Sequence, residues 1–477
     1  MSAEPKMSAE LKAGKTTELR HNVLSRLDSA LIAVAGTAPA NSVAVSTGAL
    51  IAAVGLFGPG ALLLGAAVMF GLAIAYYYLN AWRSDAGAGY AWVGRALNPQ
   101  LGFIAGWSIL VANTIFMVAG SLPAASATLD LFAPSLASNV VAVTSVGAVW
   151  FVLVNIVVLV GIRTTAYFQR IVTGMEIVGL AALAIIGFVV AITSHHATKL
   201  NLAWFSPLPP SGFAGVMAGA IVALFYFWGW DVTANLSEET VDRSRAPGIG
   251  GLRGMFILLA LFIAVQVSIQ LVLPLQTITG AGSNLLDVFA NAILPRPWSD
   301  ISVIVVIVST IGTLEASLLV VSRTLMSMSR DGVISERFGA LHPRYQTPWF
   351  GSIVMGVVSL ALFAAAAASK SITGVLNESV NAIGIYIAFY YGLSAIACGR
   401  YYRSEFARGG RALWLKGIWP VTAAVFLWIV VVAQLITAGW RADVVTVGLL
   451  VVGVIPLVVY RRQCQSGFYT SPLEVAS

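Results

Sequence analysis

The stretch "FYFWGWDVTANLSEE", Phe225 to Glu239, places a carboxylate, Asp231, beside a glycine and two tryptophans inside a long uncharged run. A charge at the centre of a bilayer costs at least about 2.5 to 3.5 kcal/mol on insertion scales, so an acid retained there faces a cavity or a partner rather than lipid. The rest of the chain says that a bilayer is the right frame. Of 477 residues, 58% are hydrophobic and only 10% charged, against roughly a quarter charged in ordinary soluble domains. Between Asp28 and Arg83 there is no charge at all, and the turn "GLFGPG" at Gly55 to Gly60 divides that stretch into two spans. Each is about 20 to 25 residues, the length that crosses a bilayer as a helix. No short basic, then apolar, then small-residue segment opens the chain, so the first apolar run is expected to be a retained span. The two cysteines, Cys398 and Cys464, cannot make a disulfide framework.

Apolar runs bounded by charge or by Gly/Pro clusters number about twelve. They are expected near 29–53, 58–82, 103–128, 139–162, 167–192, 212–236, 251–274, 301–327, 348–368, 376–400, 414–438 and 443–460. Cytoplasmic loops retain Lys and Arg during insertion, which gives an independent test. Positive residues crowd the tail before the first span (Lys6, Lys12, Lys15, Arg20, Arg26). They crowd every loop after an even-numbered span too: Arg83 to Arg95, Arg163 to Arg170, Arg243 to Arg253, Arg323 to Arg344, Arg400 to Lys416, then Arg461 and Arg462. The other side receives only Lys199, Arg296, Lys370 and Arg441. Both termini are therefore expected in the cytoplasm, and an odd number of spans would scramble the sorting. The net charge of +7 follows from this topology and calls for no nucleic-acid partner.

Within the first span, "AVAGTAPANSVAVSTG", Ala33 to Gly48, sets Gly36, Thr37, Pro39, Asn41 and Ser42 at mid-depth. Proline lacks a backbone donor and obstructs the preceding turn, so the helix is expected to break there. Five spans later Gly229, Asp231, Thr233 and Asn235 interrupt the sixth span at the corresponding depth. Two interrupted spans in matching positions of two five-helix halves point to an inverted-repeat transporter with its site at the midplane. Unwound backbone is tolerated only where it lines a cavity or is covered by protein. The alternative is a pair of mere kinks, since Gly and Pro are common in membrane helices.

With these residues in place, the chain resembles the amino acid–polyamine–organocation transporters, in the amino acid permease branch that carries "WGWD" and "EET" in the sixth span. The resemblance extends to "DAGAGYAWVGRALNPQLGFIAGW" (Asp85 to Trp107), "EETVDRSRAPG" (Glu238 to Gly248) and "SRTLMSMSRDGVISERFGALHPRYQTP" (Ser322 to Pro348). It implies an all-α integral membrane fold, a LeuT-like five-plus-five inverted repeat with two further helices. The tail 1–28 would then precede a first repeat at 29–192, a second repeat at 212–400, two more spans at 414–460 and a tail at 461–477. It implies that backbone at Gly36, Thr37 and Ala38 receives a substrate carboxylate and that carbonyls at Phe227 and Trp228 receive an ammonium. Ala38 and Pro39 depart from the Gly-Ser-Gly-Ile-like break of many relatives, which weakens the case for an α-amino acid over a simple amine.

Three intramembrane acids are candidates for coupling. Asp231 either recognises an amine and exchanges a proton or caps loose backbone as a neutral acid. Glu176 lies where some proton-coupled relatives resemble one another in placing a lysine; it is either a titrating switch or a partner for Arg170. Glu315, in "STIGTLEASLL", either lines the cavity or sits among the packing hydroxyls Ser309, Thr310 and Thr313. Those hydroxyls would also suit sodium, ranked below proton coupling because carboxylates are so many. Of the aromatic residues, Phe225 and Trp228 flank the break beside Gly229 and are expected to line the site, while Tyr386, Tyr390 and Tyr391 could gate it. The four histidines fall in tails or loops, so neither a metal centre nor a cofactor is expected. The expected function is import of an amino acid across the plasma (cell inner) membrane by proton symport, the partners being that small molecule, protons and lipid. A polyamine or organic-amine importer, or an amino acid/amine exchanger, is the alternative. An enzyme lacks a catalytic cluster here, and a channel lacks a repeated pore loop or charged ring.

Overall fold

The computed structural model describes residues 18–193, 198–437, 448, 451–459 and 466–476. Lys6, Lys12, Lys15, His195, His196, Arg441, Arg461, Arg462 and Cys464, together with part of the expected last span (443–447, 449, 450 and 460), lie outside the described residues. The described chain is helical, its sole β-contact an isolated bridge between Leu24 and Thr240. Nine helical runs in it are long and apolar enough to cross a membrane. The first, Arg26–Trp82, is 57 residues long and holds two crossings. At 1.5 Å per residue it is more than twice the thickness of a hydrocarbon core of about 30 Å. With the interrupted sixth span and the helical residues 451–459, these runs overlap the twelve expected spans, several of their ends shifted by more than a turn, as at Ile162 and Ala246.

Local chemistry sets each boundary. Helix α1 (Arg26–Thr37) opens on a capping box in which Ser25 and Asp28 satisfy each other's backbone amides. It ends at Ala38, which is left-handed (φ 49°, ψ 66°), and Pro39 starts α2 (Pro39–Val54), where a missing N–H costs nothing. A tight turn at Gly55–Phe57 reverses the chain into α3 (Gly58–Trp82). The short α4 (Gly89–Ala96) leads to α5 (Pro99–Phe132), whose first amides are capped by Asn98. Then come α6 (Val140–Val160) and α7 (Ile162–Thr193). The sixth span is split into α8 (Gly212–Tyr226) and the single turn α9 (Val232–Asn235), with Gly229 at φ +110° between them. Helix α10 (Ala246–Val272), the short α11 (Leu285–Ile293), α12 (Ile301–Arg330), α13 (Trp349–Ala367), α14 (Ile372–Tyr401) and α15 (Trp419–Thr437) follow.

An inner and an outer set separate by burial: 78% of the apolar window is buried in α5, α12 and α14, against 33% in α6, α7 and α15. The outer set presents Val149, Ile156, Val178 and Ile185 to the surroundings, as lipid-facing helices do. Small residues let the inner helices approach closely. On α10, a Cβ at Gly250 would stand 2.4 Å from the Ser29 Cβ of α1, and one at Gly254 would stand 2.5 Å from the Ala33 Cβ. Three strings that carry the resemblance converge at one end of this bundle. Arg323 of α12 pairs with Glu239 through two bonds of 3.1 and 3.2 Å, both side chains fully buried. Around them Arg330 meets Glu238 at 2.7 Å and Arg95 meets Asp331 at 2.9 Å. The N-terminal segment lies on the same end, with Val23 N–H donating to Glu239 O at 2.8 Å. So does the C-terminal segment, whose Phe468 stacks on Tyr90 at 5.2 Å.

Candidate functional site

At the first break α1 ends and α2 begins at the same depth, so carbonyls from one half-helix and amides from the other are left without helical partners. The neighbouring helices supply them. Thr313 Oγ1 of α12 donates to Gly36 O at 2.8 Å, and Ser42 Oγ donates to Thr37 O at 2.9 Å. The Ala40 N–H donates to Glu176 Oε1 of α7 at 2.9 Å, and the Asn41 N–H to Ser309 Oγ of α12 at 3.2 Å. Gly36 and Thr37 sit in the last turn of α1, their amides bonded within it, and the Ala38 N–H donates to Ala35 O at 3.0 Å. A carboxylate would reach these three amides only after that turn opens.

The second break touches the first through backbone alone. A Cβ at Gly36 would stand 2.3 Å from Gly229 O, and one at Gly229 would stand 2.2 Å from Gly36 O. Only paired glycines permit this approach, and Gly229 also holds a φ that side-chain-bearing residues rarely adopt. Asp231 follows within two residues, buried, and accepts a hydrogen bond of 3.2 Å from the Tyr390 hydroxyl of α14.

The other two acids stand apart from that pair. Glu176 caps α2 through Ala40, where the positive end of a helix dipole favours an anion, and its Oε2 meets no partner among the described residues. The pairing of Glu176 with Arg170 that the sequence left open does not form. Arg170 instead grips Asp28 of α1 with two of its nitrogens, Nε and Nη2, the latter at 2.8 Å. Glu315 lies beside Thr165 and Gln169 of α7, fully buried, with neither carboxylate oxygen hydrogen-bonded among the described residues.

Two small cavities meet at the breaks. One, about 20 Å³, is lined by Thr37, Ala38, Asn41, Phe116 and Phe225 among others; the second, about 10 Å³, by Asn113, Gly229, Asp231 and Ser317. Gly36 and Trp228 belong to both. Each has room for about one water, so an organic substrate enters only if the helices part. The sequence matches the amino acid permease family from residue 24 to residue 459. The chain belongs to the amino acid permease family. Its relatives include an uncharacterized transporter of Mycobacterium tuberculosis, 27% identical over 365 residues (73% of this chain, 77% of the relative). Cationic amino acid transporter 4 of Homo sapiens is 27% identical over 369 residues (72% and 55%). The methylthioribose transporter of Bacillus subtilis is 24% identical over 438 residues (88% and 90%). The permease is a multi-pass membrane transporter of the amino acid–polyamine–organocation superfamily and not an enzyme.

In the permease, Gly36, Thr37, Ala38, Phe225, Trp228, Gly229 and Asp231 all border the two cavities. The Phe227 ring instead packs on Phe262 of α10 at 5.2 Å, leaving its backbone at the break. Glu176 and Glu315 line neither cavity. Sequence reasoning missed Asn113, Phe116 and Gly120 of α5, which wall the site opposite the breaks, and Gly120 O accepts from the Asn41 amide at 3.1 Å. The polar Asn113 in an apolar span was the available signal. It also left Tyr386, Tyr390 and Tyr391 as equals, whereas Tyr390 is the one whose hydroxyl bonds both Trp228 and Asp231.

Proposed function

We propose that the permease imports an amino acid with a proton, by alternating access around the meeting point of its two breaks. The observation that carries this reading is the close approach of Gly36 and Gly229 around a cavity that they share with the buried Asp231. The substrate carboxylate goes to Gly36, Thr37 and Ala38 as the last turn of α1 opens, and its ammonium to the carbonyls of Phe227 and Trp228, with Asp231 as counter-charge. Residues 29–192 and 212–400 act as the two inverted repeats that rock about this point. The coupling follows from Glu176. As an anion it occupies the half-helix N-terminus that a carboxylate would seek, so neutralising it with a proton removes the competitor. Asp231 and Glu315 are the other candidates for that proton. A cationic substrate suits the acid at the site, in keeping with the cationic amino acid transporters among the relatives.

A second reading, import or exchange of a polyamine or other organic amine, is favoured by Ala38 and Pro39 in the first break. The methylthioribose transporter among the relatives has a substrate that is not an amino acid. Thermal-shift binding of a panel of amino acids and amines to the purified protein separates the two. In either case Asp231→Asn is expected to weaken binding more than ten-fold, the equivalent of about 1.4 kcal/mol. If Asp231 were only a neutral cap, the amide would preserve affinity at every pH, because a protonated acid and an amide make comparable hydrogen bonds.

The protein is read as residing in the plasma membrane with both termini cytoplasmic, since positive residues sort to that side. A cysteine in place of Lys199 should label from outside the cell. Labelling from the cytoplasmic side alone would reverse the topology.

A further inference from the structure

Trp228 and Gly36 border both the space beside Phe225 and the space that holds Asp231, and of the two only Trp228 has a side chain that could divide them. Its ring meets Phe116 edge-on at 5.2 Å, and its one polar anchor is a bond from Nε1–H to the Tyr390 hydroxyl at 2.7 Å. That hydroxyl donates in turn to Asp231 Oδ2 at 3.2 Å. Valence fixes the direction of both bonds. An indole nitrogen only donates, which leaves the single hydrogen of the phenol for the carboxylate. All three side chains are buried, where bonds in series polarise one another and each strengthens the next.

We infer that Tyr390 is a positioning residue that ties the partition to the state of Asp231. The indole stays across the cavity while the carboxylate accepts from Tyr390, and it is freed when a proton or a substrate ammonium takes that oxygen. This rests on reading the breaks as the substrate site. The groups facing Asp231 are Tyr390 and Tyr391 from α14, Tyr76 from α3, Asn113 from α5, Ser317 from α12 and Gly36 from α1. Asp231 is the one carboxylic acid among these groups.

A thiol-labelling experiment tests this without a known substrate. With Cys398 and Cys464 replaced by alanine, Ser317→Cys reports the Asp231 side of the partition, and an impermeant thiosulfonate is added from the Phe225 side. Val320→Cys, lining the same cavity, is the second reporter. Tyr390→Phe keeps its ring and loses the bond, whereas Trp228→Phe loses the bond and exchanges the indole for a smaller ring; each should speed labelling, Tyr390→Phe by roughly five- to ten-fold, the scale of one buried hydrogen bond. The double variant should be no faster than either. After correction for the reagent's own pH dependence, mild acid should speed the parent and leave Tyr390→Phe unchanged. Unchanged rates in both single variants at both reporters, or additive acceleration in the double variant, overturn the inference. Uptake of radiolabelled L-arginine and putrescine in the same vesicles keeps the two readings distinct. Intact uptake with unaccelerated labelling removes the latch alone, whereas accelerated labelling in a protein that transports neither removes the substrate reading and leaves the latch standing.

Discussion

Gly229→Ala and Gly36→Ala are each expected to abolish transport, although a single methyl group is all that either adds. The added carbon at Gly36 would sit 2.3 Å from Gly229 O, and the one at Gly229 would sit 2.2 Å from Gly36 O, so backbone must move in both cases. No flexible side chain is there to give way. At Gly229 the left-handed backbone, φ +110°, adds conformational strain to the overlap. Together these cost on the order of 3 kcal/mol or more, which corresponds to a loss of more than about 100-fold if it falls on the transporting conformation. Gly174→Ala on α7 is the matched control, because nothing lies within 4 Å of its added carbon. Uptake should persist there, with all three variants compared at equal amounts of monodisperse protein. Full uptake in Gly36→Ala and Gly229→Ala would mean that the two breaks do not meet.

The second large effect is on stability, at the charged end of the bundle. Glu239→Ala strands the Arg323 guanidinium, and Arg323→Ala strands the Glu239 carboxylate, each fully buried and held by paired bonds. Removing one partner of a buried ion pair costs about 3 to 5 kcal/mol, because the remaining charge has lost its water and its counter-charge alike. Thermal unfolding of the purified protein should show a large fall for either variant. Replacing both partners together, as Glu239→Leu with Arg323→Met, should recover most of that loss, since an apolar pair of similar volume strands nothing. If either single variant melts with the parent, or the double variant melts below both, the pair is not the buried bond described.

Much of this was legible in the residues. Charge-free lengths between turns gave the spans, and Pro39 and Gly229 gave the breaks, because a missing donor and a left-handed backbone are local properties. Asp231 stood out because an acid is costly where it lies. What stayed hidden depends on contacts between distant segments. The close approach of Gly36 to Gly229 has no sequence signal beyond two glycines among 45. Adjacent tyrosines 390 and 391 leave a helix about 100° apart, and only packing decides which hydroxyl reaches Asp231. The open question of Arg170 and Glu176 is instructive, since residues six apart on a helix point about 120° away from each other and are poor partners. Helix geometry therefore favoured another partner for Arg170, but only the fold identifies it as Asp28.

Proton-driven uptake is the most direct test of the central reading. Purified permease in proteoliposomes is given a radiolabelled amino acid selected by the binding panel, under an inward proton gradient, an inward sodium gradient, or neither. The proton gradient alone should drive accumulation above the external concentration, and at least one of Glu176→Gln, Asp231→Asn and Glu315→Gln should abolish it, with Glu176 the first expected. Accumulation driven by sodium alone, proton-driven accumulation that survives in all three variants, or counterflow with no response to either gradient would contradict the account.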